Sequence, residues 1–160
     1  MTRAETESTQ YNFVYDAFGN QTAINIGTGN IVSYTYNPNN GKLTNVAYAN
    51  GYSIKYEYDS LERIEKVKES INGGSDVLIV QYTYSDDGRL TRVLDYKGEK
   101  SYNYTYDNAG RVVTTTVKNL SGTEILYSSA NTYDTESKMS SQTRGYGSVN
   151  ESYTYTYDSR

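Results

Sequence analysis

The chain says one phrase many times over. Aligned on the last tyrosine of each strand-like run, the copies fall at Tyr15, Tyr36, Tyr58, Tyr84, Tyr106, Tyr133 and Tyr157, at intervals of 21, 22, 26, 22, 27 and 24 residues. A period this short and this uneven belongs to a repeat array with variable loops, in which each copy is one supersecondary unit that packs only against its neighbours. That requirement narrows the possible folds more than composition does.

The order of residues within a copy predicts a β-hairpin. After the aligned Tyr comes a turn-initiating type, Asp16, Asn37, Asp59, Ser85, Asp107, Asp134 or Asp158, able to accept hydrogen bonds from backbone N–H groups just ahead of it. Four positions after the Tyr stands Gly19, Gly88 or Gly110, with Gly41 one step late, supplying the positive φ that closes a hairpin through a bulge. A basic residue follows (Lys42, Arg63, Arg89, Arg111 or Lys138), then an aliphatic one (Leu43, Ile64, Leu90, Val112 or Met139). The stretch before the turn and the stretch after it are expected to pair as antiparallel strands.

Alternation decides which side chains share a face. Tyr102, Tyr104 and Tyr106 point one way while Asn103 and Thr105 point the other, and the parity recurs in Tyr34/Tyr36, Tyr52/Ile54/Tyr56/Tyr58, Tyr82/Tyr84, Tyr153/Tyr155/Tyr157 and Tyr11/Phe13/Tyr15. Stripes of this kind set side by side predict a ladder of tyrosines across a large sheet, with stability distributed over many cross-strand pairs of about 0.2–1 kcal/mol each. The aliphatics after the turn do not keep that period: Leu43 and Val46, Ile64 and Val67, and Leu90 and Val93 stand three apart, which predicts a bulge or a shift of pairing just after the turn. The expected fold class is all-β, an array of antiparallel hairpins forming a twisted, spiralling sheet. Residues 1–10 read as a polar tail and 11–160 as a single domain of six to seven units. ESINGGSD, from Glu69, and KNLSGT, from Lys118, read as longer loops inside it.

Composition limits the chemistry. The chain has 20 Tyr and no Cys or His, so tyrosine supplies the buried area that aliphatics usually supply. There is no thiolate for a metal or disulfide, and the commonest metal ligand and general base is missing. With a net charge of −4 and scattered cations, the sequence does not predict a nucleic-acid groove. MTRAETESTQ carries no apolar signal core and no run is long enough to span a bilayer as a helix, so the expectation is a soluble chain without a signal peptide or membrane insertion.

YTYDNAGRV, YTYSDDGRL and YEYDSLERI resemble the tyrosine-aspartate (YD) repeats of the Rhs and teneurin-type families, and the resemblance covers about residues 11–160. It implies a spiralling sheet of hairpins that forms part of a hollow β-shell, which encloses or displays a toxic C-terminal domain or belongs to a large adhesion protein. It further implies a secreted or cell-surface parent whose remaining repeats or C-terminal domain are the partners. No junction motif with an autocleaving aspartate follows the repeats in this sequence. Copies depart from the pattern at Glu62 and Ser137 in place of the turn Gly, at Ser85 in place of Asp, and at Asn20–Gln21 in place of the basic-aliphatic pair. Those turns are expected to take another geometry.

Each candidate site has a structural reading beside a functional one. The repeat residues Tyr15, Asp16, Gly19, Tyr36, Gly41, Tyr58, Asp59, Tyr84, Gly88, Arg89, Tyr106, Asp107, Gly110, Arg111, Tyr133, Asp134, Tyr157 and Asp158 are expected to be architectural. Asp86-Asp87-Gly88 is the nearest approach to a calcium loop, but Arg89-Leu90-Thr91-Arg92 follows it where oxygen ligands are required. Glu57, Glu62 and Glu65 are the carboxylates a glycosidase would draw on, with no second signal for catalysis. Tyr34, Tyr56, Tyr82, Tyr104 and Tyr155 are the candidate stripe for binding a glycan or a cell-surface protein, against the plainer reading of packing within the sheet. The basic residue after each turn is expected to pair with a carboxylate of the next copy. No enzyme activity, cofactor or metal is predicted, and the strand at Tyr153–Tyr157 is expected to associate edge to edge or to be covered by the chain itself.

Overall fold

The computed structural model describes residues 10–158, so all but the last residue of the expected 1–10 tail lie outside the described part. It is all-β, with no helix among the described residues. The chain forms two compact units, Met1–Leu78 and Ile79–Arg160. The first holds β1 (Tyr11–Tyr15), β2 (Gln21–Ile26), β3 (Gly29–Tyr36), β4 (Leu43–Tyr48), β5 (Tyr52–Tyr58) and β6 (Ile64–Ile71). Its boundary with the second falls inside β7 (Val77–Tyr84), which β8 (Leu90–Asp95), β9 (Lys100–Tyr106), β10 (Val112–Asn119), β11 (Ile125–Tyr133), β12 (Met139–Tyr146) and β13 (Val149–Thr154) follow.

Within each unit every strand is antiparallel to its chain neighbours, and strand order follows chain order. Short local connections account for that meander, since each turn closes within a few residues and no long crossover is required. The two loops foreseen at residues 69–76 and 118–123 are shorter than expected: β6 runs on to Ile71 and β10 to Asn119.

The turns are built as their residues dictate. At the first, Gly19 N–H donates to Asp16 O (3.2 Å) and Asp16 N–H to Asn20 O (2.9 Å), while the Asp16 carboxylate takes the N–H groups of Phe18 and Asn20 at 2.9 Å each. Asp59, Asp107 and Asp134 hold their turns in the same manner. The second turn carries its extra residue as a wider loop, with Gly41 N–H donating to Asn37 O. The expectation that Glu62 and Ser137 would take another geometry is corrected: their φ values of 61° and 67° lie in the same left-handed region as Gly19 at 85° and Gly110 at 83°. The Asx hydrogen bonds and the flanking ladders hold the backbone there whether or not a glycine is present.

A bulge follows every one of these turns. Tyr36 faces Leu43 while Thr35 faces Asn45, leaving Thr44 unpaired, and the same one-residue shift sits between Glu57 and Tyr58, Thr83 and Tyr84, Val112 and Thr114, and Thr132 and Tyr133. The extra residue brings Leu43 and Val46, Ile64 and Val67, and Leu90 and Val93 onto the tyrosine face despite their spacing of three, as the sequence had suggested.

The ladder itself differs from expectation. From Tyr36 to Tyr133 the aligned rings face apolar side chains, Tyr36 against Leu43, Tyr58 against Ile64, Tyr84 against Leu90, Tyr106 against Val112 and Tyr133 against Met139, because the strand after each turn intervenes between successive tyrosine strands. Ring pairs occur instead at the opposite ends of the hairpins, Tyr48 with Tyr52 at 6.0 Å and Tyr127 with Tyr146 at 5.0 Å. Within each unit, strands of the described residues pack only against their sequence neighbours. Val46, between Tyr34 and Ile54, is accordingly the one large apolar side chain among them that is nearly enclosed.

Candidate functional site

The repeated turn edge is where the chain concentrates its chemistry, and tyrosine hydroxyls tie one copy to the one before. Five of the aligned tyrosines donate their O–H to the main-chain carbonyl of the residue that opens the preceding post-turn strand. The bonds run from Tyr36 to Gln21 O (2.9 Å), Tyr58 to Leu43 O (2.7 Å), Tyr106 to Leu90 O (2.7 Å), Tyr133 to Val112 O (2.7 Å) and Tyr157 to Met139 O (2.9 Å). A phenylalanine would place the same ring there and leave the carbonyl without this donor. At Val112 the carbonyl is held twice, for Asn131 Nδ2–H donates to it at 3.1 Å, and Gln142 in turn donates to Asn131 Oδ1.

The basic residue after the turn makes the second tie. Arg111 Nε–H donates to Asp107 Oδ2 (2.7 Å), its guanidinium lies 4.5 Å from the centre of the Tyr133 ring, and Nη1–H reaches Ser137 Oγ (3.1 Å) and Asp134 O (3.4 Å) in the next turn. Arg89 sits over Tyr106 at 5.7 Å and Lys138 over Tyr157 at 5.3 Å. A cation over a tyrosine face adds about 0.5–1 kcal/mol where it stays partly solvated. The expected carboxylate partner in the next copy is corrected for most of these residues. Arg63, Arg111 and Lys138 pair within their own turn, with Asp59, Asp107 and Glu136, while Lys42 reaches across, to Glu62 at 3.7 Å. An arginine four positions after the Asp lies beside it once the turn closes, which fixes the pairing at Arg63 and Arg111, whereas Lys138 takes Glu136 two positions before it.

Ser85 shows how the arrangement survives a substitution. The carboxylate moves two residues along to Asp87, which binds Ser85 Oγ and pairs with Arg89 at 2.8 Å. The Asp86-Asp87-Gly88 segment thus spends a carboxylate on an arginine rather than on a cation ligand set, and among the described residues no three acidic side chains converge. The carboxylates considered for glycoside chemistry are paired as well: Glu57 with Lys66 and Lys68, Glu62 with Lys42, and Glu65 with Lys66. The hydrogen bond from Lys68 holds Glu57 below its usual carboxylate range, opposite to what a general acid requires. Of the candidate binding stripe, Tyr34, Tyr56, Tyr82 and Tyr104 are half-buried and Tyr155 is exposed. Burial raises the Tyr104 and Tyr58 phenols above their ordinary value.

The turn carboxylates make stability depend on pH in a definite direction. Asp107 and Asp59 are held below the usual range first by the backbone N–H of Arg111 and Arg63, and Asp16 first by the Asn20 side chain. Since their folded values lie below the unfolded one, their contribution is complete above about pH 4 and disappears as pH falls through the folded values. Urea midpoints are therefore expected to stay level from neutral pH to about pH 5 and to drop below about pH 4. Asp107→Asn is expected to lower the neutral midpoint and flatten the acid fall; an unchanged acid slope would remove Asp107 from this account.

Comparison with known proteins agrees with this geometry. A family model described as Teneurin YD-shell matches residues 49–160. Among solved structures, the chain is similar to "Crystal Structure of TcdB2-TccC3-Cdc42" with a TM-score of 0.69 and 20% identity, covering 83% of this chain and 7% of that one. It is similar to TcdB2-TccC3 without its hypervariable C-terminal region with a TM-score of 0.68 and 19% identity over 94% of this chain and 8% of that one. For the Photorhabdus luminescens Tc holotoxin pore the TM-score is 0.61 and the identity 20%, over 71% of this chain and 5% of the other. A search of curated proteins found no match. The chain thus spans less than a tenth of the length of these solved relatives, and at such identities they establish the fold alone. No helix among the described residues is long and apolar enough to cross a membrane. Repeated Tyr-Asp turns, bulges and hydroxyl ties over an all-β meander, together with a family match across more than half of its length, make this chain a member of the Teneurin YD-shell family.

Proposed function

We propose that the chain is a stretch of shell wall whose work is mechanical, enclosing or displaying a toxin or adhesion domain of a longer, secreted or cell-surface parent. The observation that carries this reading is the repeated tie at the turn edge, where hydroxyl and cation fasten neighbouring copies within each unit. Such a wall gains rigidity from many modest bonds rather than from a central core. The solved relatives, in which a segment of this size is a small fraction of the whole, support a parent with further repeats as partners.

The reading makes the strand edges adhesive. β1 and β13 each pair on one side only among the described residues, and β13 is exposed throughout. Unpaired N–H and C=O groups on a long open edge recruit further strands. Sedimentation of the chain across the micromolar range is expected to show concentration-dependent association, reduced by proline substitutions in β13. A monomer at every concentration would count against the wall, and glycan binding lost in Tyr155→Ala would replace it with an adhesion module.

A further inference from the structure

The first copy breaks the pattern of filled cation seats, and the break leaves room. Asn20 occupies the position of Arg63, Arg89 and Arg111, and its Nδ2–H donates to Asp16 Oδ2 at 3.0 Å just as Arg111 Nε–H donates to Asp107 Oδ2 at 2.7 Å. An asparagine ends at that carboxylate; an arginine continues past it onto the ring of the next copy. Where the guanidinium would lie, between the first two turns and beside Tyr36, there is a cleft of about 540 Å³. The corresponding clefts lined by Arg89 and Lys138 measure about 300 and 370 Å³.

The walls of this cleft keep what the filled seats use. Asp16 supplies the carboxylate, Tyr36 the ring and Asn37 the position whose carbonyl, at Asp134 in the later copy, receives Arg111 Nη1–H. Among the described residues no cationic side chain lines it. Lys42, the nearest basic residue in sequence, is engaged by Glu62. Phe18, 91% exposed, stands at the rim where the later copy has Ala109, and with Pro38 it offers apolar surface to the methylene stem of a long side chain. Asp16 stays ionised well below neutral pH because of its hydrogen bonds, so the cleft carries one negative charge facing an aromatic ring.

We propose that this cleft is a docking seat for an arginine side chain carried by another polypeptide segment, which completes from outside the Asp–guanidinium–Tyr arrangement that later copies complete from within. Guanidinium is favoured over ammonium because the seat asks for a flat cation that donates to a carboxylate and to a carbonyl while lying on a ring. A polypeptide source is favoured because Phe18 and Pro38 add apolar lining that a free guanidinium would leave uncovered.

The test is a titration of the full chain with the capped peptide Gly-Arg-Gly, followed by NMR, beside its citrulline and lysine counterparts. Saturable shifts confined to Phe18, Asn20, Tyr36 and Asn37 are expected, with citrulline, equal in shape but uncharged, binding about tenfold more weakly or not at all. Asn20→Arg should fill the seat from within and abolish the titration, and Phe18→Ala, at an exposed position, should weaken it severalfold while leaving the spectrum otherwise intact. Equal shifts with the citrulline peptide, shifts spread evenly over all turns, or undiminished binding by a folded Asn20→Arg chain would each overturn the proposal. So would an Arg3→Ala variant that alone reproduces the shifts in reverse, since the occupant would then be the chain's own arginine. Should Asn20→Arg lose its native spectrum, the contrast of Phe18→Ala with citrulline decides.

Discussion

Replacing Tyr133 with alanine is expected to lower the free energy of unfolding by about 3 kcal/mol, and replacing it with phenylalanine by about 1 kcal/mol. The ring of Tyr133 covers the start of the preceding post-turn strand, faces Met139, lies under the Arg111 guanidinium and ends in a 2.7 Å bond to Val112 O. Truncation removes all four at once. Phenylalanine keeps the area and the cation contact and loses the hydroxyl, so the difference between the two variants separates burial from hydrogen bonding. Tyr15 is the control, being 58% exposed at the first aligned position, and Tyr15→Ala should cost less than about 1 kcal/mol. Urea unfolding of the three variants gives the ranking. If Tyr15→Ala costs as much as Tyr133→Ala, the tie to the preceding copy is not what stabilises the array.

How much of this could be read from the residues follows from the range of each interaction. The turns were legible because their partners lie within four residues: Asp107 with the N–H groups of Ala109 and Arg111 is a local pattern that any such spacing predicts. The bulge was legible too, because Leu90 and Val93 cannot share a face at a spacing of three unless one residue is added between them. The ring ladder was not legible, since a match of tyrosine stripes assumes that tyrosine strands adjoin, whereas β8 stands between β7 and β9 and sets Val93 against Tyr82 on one side and Tyr102 on the other. The reach of Tyr106 to Leu90 O and of Arg111 to Asp134 O spans neighbouring hairpins, and only a register between strands can set it. One signal did point to it. The basic residue keeps a fixed distance from the aligned tyrosine in Arg63, Arg89, Arg111 and Lys138, which a purely solvated charge has no reason to do.

Gly110→Ala and Gly19→Ala should differ although the two glycines have nearly the same φ, 83° and 85°. Both variants force a Cβ into the left-handed region, at a cost of about 1 kcal/mol. At Gly19 that Cβ meets nothing within 4 Å, whereas at Gly110 it lies 3.0 Å from Arg89 Nη2 and 3.3 Å from Arg89 Cζ. Alanine at 110 therefore also pushes the preceding arginine off its seat over Tyr106, bringing the expected loss to about 2 kcal/mol. The excess of Gly110→Ala over Gly19→Ala measures the seat, and it should vanish in an Arg89→Ala background. The reciprocal change runs the other way: Glu62 holds φ at 61° without being glycine, so Glu62→Gly is expected to gain about 0.5 kcal/mol even after losing its exposed pair with Lys42. Ser137→Gly gains less, because Ser137 Oγ accepts from Arg111 Nη1 and glycine cannot. An order in which Ser137→Gly stabilises more than Glu62→Gly would mean that backbone strain, rather than the cation seat, governs the turn edge.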